Sequence, residues 1–150
     1  MNATATATVN TSAASNYDEA ADYIWNNSFD KPTLVVSRAR VVVQYDALQA
    51  GLGDARIHYA VKANPAPEII RMLVERGSGF DAASRQEIEL CLSQGADPAK
   101  ISFGNTIKRG VDIAFAHSIG VTMFAADCEA ELDKIAEHAP GARVYIRLIV

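Results

Sequence analysis

The sequence predicts an α/β fold carried on a parallel sheet, and three observations point that way. From residue 57 onward, short apolar, β-branched runs alternate with longer amphipathic segments: IHYAV then PEIIRMLVERG, GFDAA then SRQEIELCLSQG, ISFGN then KRGVDIAFAHSIG, VTMFAA then DCEAELDKIAEHAPG, and lastly ARVYIRLIV. The runs begin near residues 57, 79, 101, 121 and 143. That interval of about 20 to 22 residues suits a strand followed by a three-turn crossover helix. The runs are also apolar on both faces, as strands covered by helices must be. A (β/α) barrel and a doubly wound sheet both meet these conditions. Five repeat strands fill neither an eight-stranded barrel nor its usual length of about 250 residues. A last apolar run ending on Ile149 and Val150 would leave an open sheet edge, so the expectation is the N-terminal part of a longer protein.

Taken in order, residues 1–15 (MNATATATVNTSAAS) are small and polar, with neither a basic start nor an apolar core of a signal peptide, and are expected to be a disordered tail. Residues 15–28 (SNYDEAADYIWNNS) read as a helix capped by Ser15 or Asn16. Residues 33–37 (TLVVS) read as a strand, and 41–53 as a helix. The GLG at 51–53 invites a phosphate-loop reading, but it sits where that helix should end, and a C-cap suits it better. Within the repeat, Ser84 and Glu87 have the spacing of a capping box. Asp127 is placed to cap the last helix, Asn105 and Thr106 the one before it, and Gly77, Gly95, Gly120 and Gly141 lie where helices should stop.

Composition narrows the function. The chain is 49% hydrophobic and 21% charged, a globular balance, and its net charge of −4 gives no reason to expect nucleic acid or an anionic membrane as partner. No stretch approaches the ~18 to 20 apolar residues of a membrane span. Cys91 and Cys128 are far apart, with no CxxC and no histidine at metal-ligand spacing, so they are expected to be reduced core residues of a cytoplasmic protein with no metal. His58, His117 and His138 do not cluster; none is assigned a role, and the last two are read as helix-surface residues.

Lys62 ends the run HYAVK. Strand alternation would put it on one face with Ala60 and His58, at the strand's C-terminal end, where barrels carry their chemistry, with the small Ala60 leaving room for a ligand. Two readings are compatible with the spacing. One is a lysine snorkelling from the sheet rim; the other is a Schiff-base lysine, which must be neutral to attack an aldehyde. Asp81, at the end of the second repeat strand, reads either as a turn cap or as a carboxylate facing the lysine. Arg147, inside VYIRLIV, would be a buried guanidinium in need of a partner.

YAVKANP (59–65) resembles the cofactor-lysine motif of the fold-type III pyridoxal-phosphate decarboxylases, the family of ornithine and diaminopimelate decarboxylases. GFDAASRQEIEL (79–90) and ISFGNTIK (101–108) are similar to the ornithine-type version. The resemblance runs from about residue 30 to 150. It implies an alanine-racemase-like (β/α)8 barrel cut after about half, with residues 16–150 as its N-terminal portion and the rest of the barrel and a C-terminal β-domain outside this chain. It also implies pyridoxal 5'-phosphate as cofactor, held by Lys62 as an internal aldimine, with Ala60, Asp81 and Arg147 in the coenzyme pocket and Glu87 as a secondary candidate. The implied function is decarboxylation of ornithine, with lysine as a second candidate substrate, to the diamine in polyamine biosynthesis by a homodimer. The phosphate loop, the partner of the pyridine nitrogen and the substrate-site residues would lie past residue 150, so that 1–150 alone would be inactive. Lysine, diaminopimelate or carboxynorspermidine decarboxylases are alternatives. A non-catalytic, antizyme-inhibitor-like homologue that binds a protein partner is another, against which the retention of Lys62, Ala60 and Asp81 speaks.

Overall fold

The computed structural model describes residues 18–148, so the expected tail and the caps at Ser15 and Asn16 lie outside the described residues. The chain divides into two compact units, residues 1–50 and 51–150.

In the first unit, helix α1 (Asp18–Trp25) is closed by two asparagines that fold back on it: Asn26 Nδ2 donates to Asp22 O at 2.8 Å and Asn27 Nδ2 to Tyr23 O at 2.7 Å. Asp22 O also accepts the Asn26 backbone N–H at 2.9 Å, and the Asn27 amide serves the Tyr23 carbonyl at the helix end. The strand expected over 33–37 does not form. Its apolar residues have no neighbouring strand to complete a ladder, and Leu34 stands 84% exposed. Helix α2 (Arg38–Leu52) starts three residues before the expected 41, because Ser37 Oγ accepts the Arg40 N–H at 3.3 Å. Gly53 follows it at φ +59°, a left-handed helix stop, which is the C-cap reading of GLG.

The second unit holds five parallel strands, β1 (His58–Ala60), β2 (Gly79–Ala82), β3 (Ile101–Phe103), β4 (Met123–Ala126) and β5 (Arg143–Ile146), in the spatial order β1-β2-β3-β4-β5. A doubly wound sheet reverses its strand order at a switch point; this one does not, which is the arc of a (β/α) barrel. Helices α3 (Pro67–Glu75), α4 (Arg85–Ser93), α5 (Gly110–Ser118) and α6 (Glu129–His138) connect successive strands. Register couples Ala60 to Asp81, Asp81 to Ser102, Ser102 to Met123 and Ala125 to Tyr145.

Alternation sends Phe80, Ile101, Phe103 and Phe124 to the opposite face from these. There they join Ile70, Leu73, Ile88, Ile113 and Ile135 of the helices in a core where each is at most 2% exposed. Helix starts follow local chemistry. Pro67 supplies a preset φ at the first position of α3. The Ser84 half of the capping box at α4 forms as expected, Ser84 Oγ accepting the Glu87 N–H at 3.2 Å, while Glu87 Oε2 reaches one residue past the cap and accepts the Ala83 N–H at 2.7 Å. The other two caps do not. Arg109 occupies the cap position of α5, without a side-chain cap bond, and pairs with Asp112 instead, while Cys128 displaces Asp127 at α6. Gly77, Gly95, Gly120 and Gly141 all take positive φ, as the helix stops require.

Both cysteines are free. Cys91 is buried in α4, where desolvation first and the Glu87 charge second push its thiol up to about 12. Cys128 is exposed, contrary to the core expectation, because it occupies the strand-to-helix turn rather than the helix face. Among the described residues no helix is long and apolar enough to cross a membrane, and no cluster of acidic, histidine or cysteine side chains could hold a metal.

Candidate active site

Strand β1 stops at Ala60, and Lys62 lies in the 3-10 turn Val61–Ala63, exposed. Lys62 is therefore past the end of the strand rather than within it, and the burial at a strand end that would favour a neutral amine is not found. Val61, wholly buried, pins the turn to the core. The following Asn64 closes it: its Oδ1 accepts the Ala66 N–H at 3.1 Å and its carbonyl accepts the Tyr59 hydroxyl at 3.2 Å. Pro65 then holds the chain extended before α3. The motif YAVKANP thus displays a primary amine on a short turn braced at both ends.

On the neighbouring strand, Asp81 is half-buried on β2, opposite Ala60 in register. Ser102 Oγ donates to Asp81 Oδ1 at 2.8 Å, and the Tyr145 hydroxyl donates to the same oxygen at 3.3 Å. Burial, then the Asp81 charge, raise the Tyr145 phenol above its ordinary value, so it remains a donor through neutral pH. Gly104 makes room for this carboxylate: a Cβ there would fall 2.0 Å from Asp81 Oδ1. Arg147 Nη2 in turn donates to Gly104 O at 3.3 Å. The expected burial of Arg147 is also not found. It lies one residue past β5, is exposed, and uses its backbone N–H to extend the ladder to Ala126 O at 2.8 Å.

Asp81, Ser102 and Tyr145 line a hollow of about 360 Å³ with Met123 and His58. The His58 ring lies flat on Gly79, where an added Cβ would meet it at 3.0 Å, and its Nδ1 is buried without a hydrogen-bond partner among the described residues. Glu87 engages the start of α4 through one oxygen, Oε2, which accepts the Ala83 N–H.

A second polar cluster was not anticipated. Lys108, whose side chain is 0% exposed, donates from Nζ to Ala125 O at 2.6 Å and Asn105 O at 2.9 Å, and pairs with Glu131 Oε1 at 2.7 Å. Lys134 pairs with Glu131 Oε2 at 2.7 Å and donates to Lys108 O at 2.6 Å. Burial lowers the Lys108 ammonium, an effect its bond to Glu131 opposes. Burial pushes the Glu131 carboxyl up, but its bonds to Lys108 and Lys134 outweigh that and hold it below its usual range. The signal lay in ISFGNTIK, whose terminal lysine was read only as part of a motif.

Lys62 is not among the residues lining the hollow; the residues at this end of the strands suit an aldehyde-bearing ring cofactor through an accessible amine at Lys62 on the turn after β1, a carboxylate at Asp81 kept free of steric cover by Gly104, and the unsatisfied ring nitrogen of His58.

Comparison with known proteins gives the same direction. The family model for the pyridoxal binding domain of pyridoxal-dependent decarboxylases matches residues 38–150. The chloroplastic ornithine decarboxylase of Nicotiana glauca is 39% identical over 118 residues, which is 79% of this chain and 27% of that protein. Antizyme inhibitor 2 of Xenopus laevis is 40% identical over 90 residues, 60% of this chain and 20% of that one. The crystal structure of lysine decarboxylase from Selenomonas ruminantium superposes with a TM-score of 0.78 at 32% identity, covering 93% of this chain and 36% of that one. The chain thus spans less than a third of the length of the curated relatives described.

Proposed function

The chain belongs to the pyridoxal-dependent decarboxylases, through their pyridoxal binding domain, and on that premise we propose that it carries the coenzyme lysine of an amino-acid decarboxylase acting on ornithine. The observation that carries this reading is the exposed amine of Lys62 on a braced turn, next to a strand whose Asp81 carboxylate has no cation paired with it among the described residues.

Pyridoxal phosphate, when bound, supplies the electron sink for the pair released as carbon dioxide leaves. The chain's own residues do the rest. Lys62 offers the nucleophilic nitrogen for attachment to an aldehyde and must lose a proton to do so. Ala60, opposite Asp81, keeps the wall small where the cofactor would lie. Asp81 balances a protonated amine, whether of Lys62 or of the incoming substrate, and the Arg147 guanidinium adds a cation at the far end of the same cluster. Glu87 stands behind them as a secondary candidate. The wider reading, with the substrate a small cationic amino acid, the product a diamine for polyamine synthesis and the enzyme a cytoplasmic homodimer, rests on the ornithine-type motifs GFDAAS and ISFGNTIK.

The test is borohydride reduction of the complete protein loaded with pyridoxal phosphate, followed by peptide mass mapping. We expect the label on Lys62 and loss of the visible absorbance in Lys62→Ala; an unchanged spectrum in that variant would overturn the assignment. Turnover of ornithine, lysine, arginine and diaminopimelate then ranks substrates, and a preference for diaminopimelate rejects ornithine. The similarity to Antizyme inhibitor 2 favours a second reading, a non-catalytic homologue that binds a protein. It predicts neither label nor turnover.

A further inference from the structure

Resting on that reading, we infer that Tyr145 and Ser102 are positioning residues for Asp81: together they clamp its Oδ1 and leave Oδ2 for a cationic or N–H group of the bound ligand.

The geometry comes from three strands. Asp81 is on β2, its register partner Ser102 on β3, and Tyr145 on β5, so that the tyrosine reaches across β3 and β4 to the same oxygen that the serine holds. Two neutral donors converge on Oδ1, at 2.8 and 3.3 Å, and no hydrogen bond reaches Oδ2 among the described residues. A carboxylate so held has one oxygen engaged by two neutral donors and loses its rotational freedom. Gly104 completes the clamp by the absence of a side chain, for a Cβ would lie 2.5 Å from Oδ2. Fixing a charged group before the ligand arrives removes an ordering cost from binding. The raised Tyr145 phenol agrees with this, since it stays protonated and donating at the pH where a decarboxylase works.

Neither residue stands out by type. A serine in ISF and a tyrosine in VYI read as strand residues, and only the register brings both onto the carboxylate of β2.

A double-mutant cycle on coenzyme affinity tests the clamp in the complete protein, with pyridoxal phosphate titrated into apoprotein and the midpoint of thermal unfolding followed in parallel. Tyr145→Phe should weaken affinity roughly three- to tenfold, the net weight of one ordinary hydrogen bond. In an Asp81→Ala background the same change should do nothing further. An unchanged affinity in Tyr145→Phe, or a loss that persists without Asp81, overturns the inference; if Tyr145→Phe fails to fold, Ser102→Ala runs the same cycle under the same two outcomes. A coenzyme-free readout separates this from the functional reading. Asp81→Ala should lower the pH at which Tyr145 ionises, read as tyrosinate absorbance against a Tyr145→Phe blank. An unmoved titration removes the clamp even if Lys62 is labelled. An absent Lys62 label with a moved titration removes the decarboxylase reading and with it the ligand role, leaving the Tyr145–Asp81 bond standing.

Discussion

The molecule carries two polar clusters one strand apart, and they are built on opposite terms. At Lys108 every charge is answered: the buried ammonium meets a carboxylate and two carbonyls, and the carboxylate of Glu131 meets two ammonium groups. At Asp81, among the described residues, a single carboxylate is bonded only to hydroxyls, beside an imidazole nitrogen with no hydrogen-bond partner. The first arrangement ties the β3–α5 connection to β4 and α6 and leaves nothing for a ligand. The second keeps charge and hydrogen-bonding capacity in a hollow. A buried unpaired polar group is costly, so its retention marks where a fold has been shaped for something other than its own stability.

That contrast can be broken from the closed side first. Glu131→Leu leaves Lys108 as an uncompensated buried cation and should cost about 3–5 kcal/mol in a denaturant titration, whereas Lys108→Met with Glu131→Leu should recover most of it. The closed cluster also has a pH signature. Glu131 ionises below its unfolded value, so its contribution is whole above about pH 4.3 and is lost as the pH falls through the lower folded value. The double variant should therefore show a shallower acid limb in stability against pH. On the open side, Gly104→Ala should cost roughly 1–2 kcal/mol, because the short carboxylate can turn away, yet should weaken coenzyme binding several-fold. A stability loss at Gly104→Ala as large as that at Glu131→Leu would erase the distinction. Ser84→Ala, which belongs to neither cluster, sets the scale of an ordinary helix cap, about 1 kcal/mol with no change in ligand affinity. Smallest of all, iodoacetamide at pH 8 should modify exposed Cys128 and spare Cys91, whose thiol burial raises to about 12, with little change in unfolding midpoint.

Much of the fold was legible because its signals are local. The strand-helix period, the capping box at Ser84 and Glu87, and the glycine stops each depend on a few neighbouring residues, and all five strands lie within the runs that predicted them. TLVVS failed because a strand is a pairing, and no alternation of residues can tell whether a partner strand is present. Lys62 was visible as a residue but misplaced by two positions, since strand alternation says nothing about where a strand ends. Asp81 was legible through its place at a strand end. Ser102, Tyr145 and Gly104 were not, because what selects them is register across three strands. Lys108 was hidden for a related reason: it lies in the loop before α5, and its carboxylate is 23 residues further on, in α6.

The unbroken strand order has a consequence for how such a chain folds. Each strand pairs with the one about twenty residues before it, so closing every new unit costs about the same loop entropy and none must wait for a distant partner. A sheet ordered this way can grow one unit at a time from the N-terminal side, in the sequence in which a ribosome would deliver it.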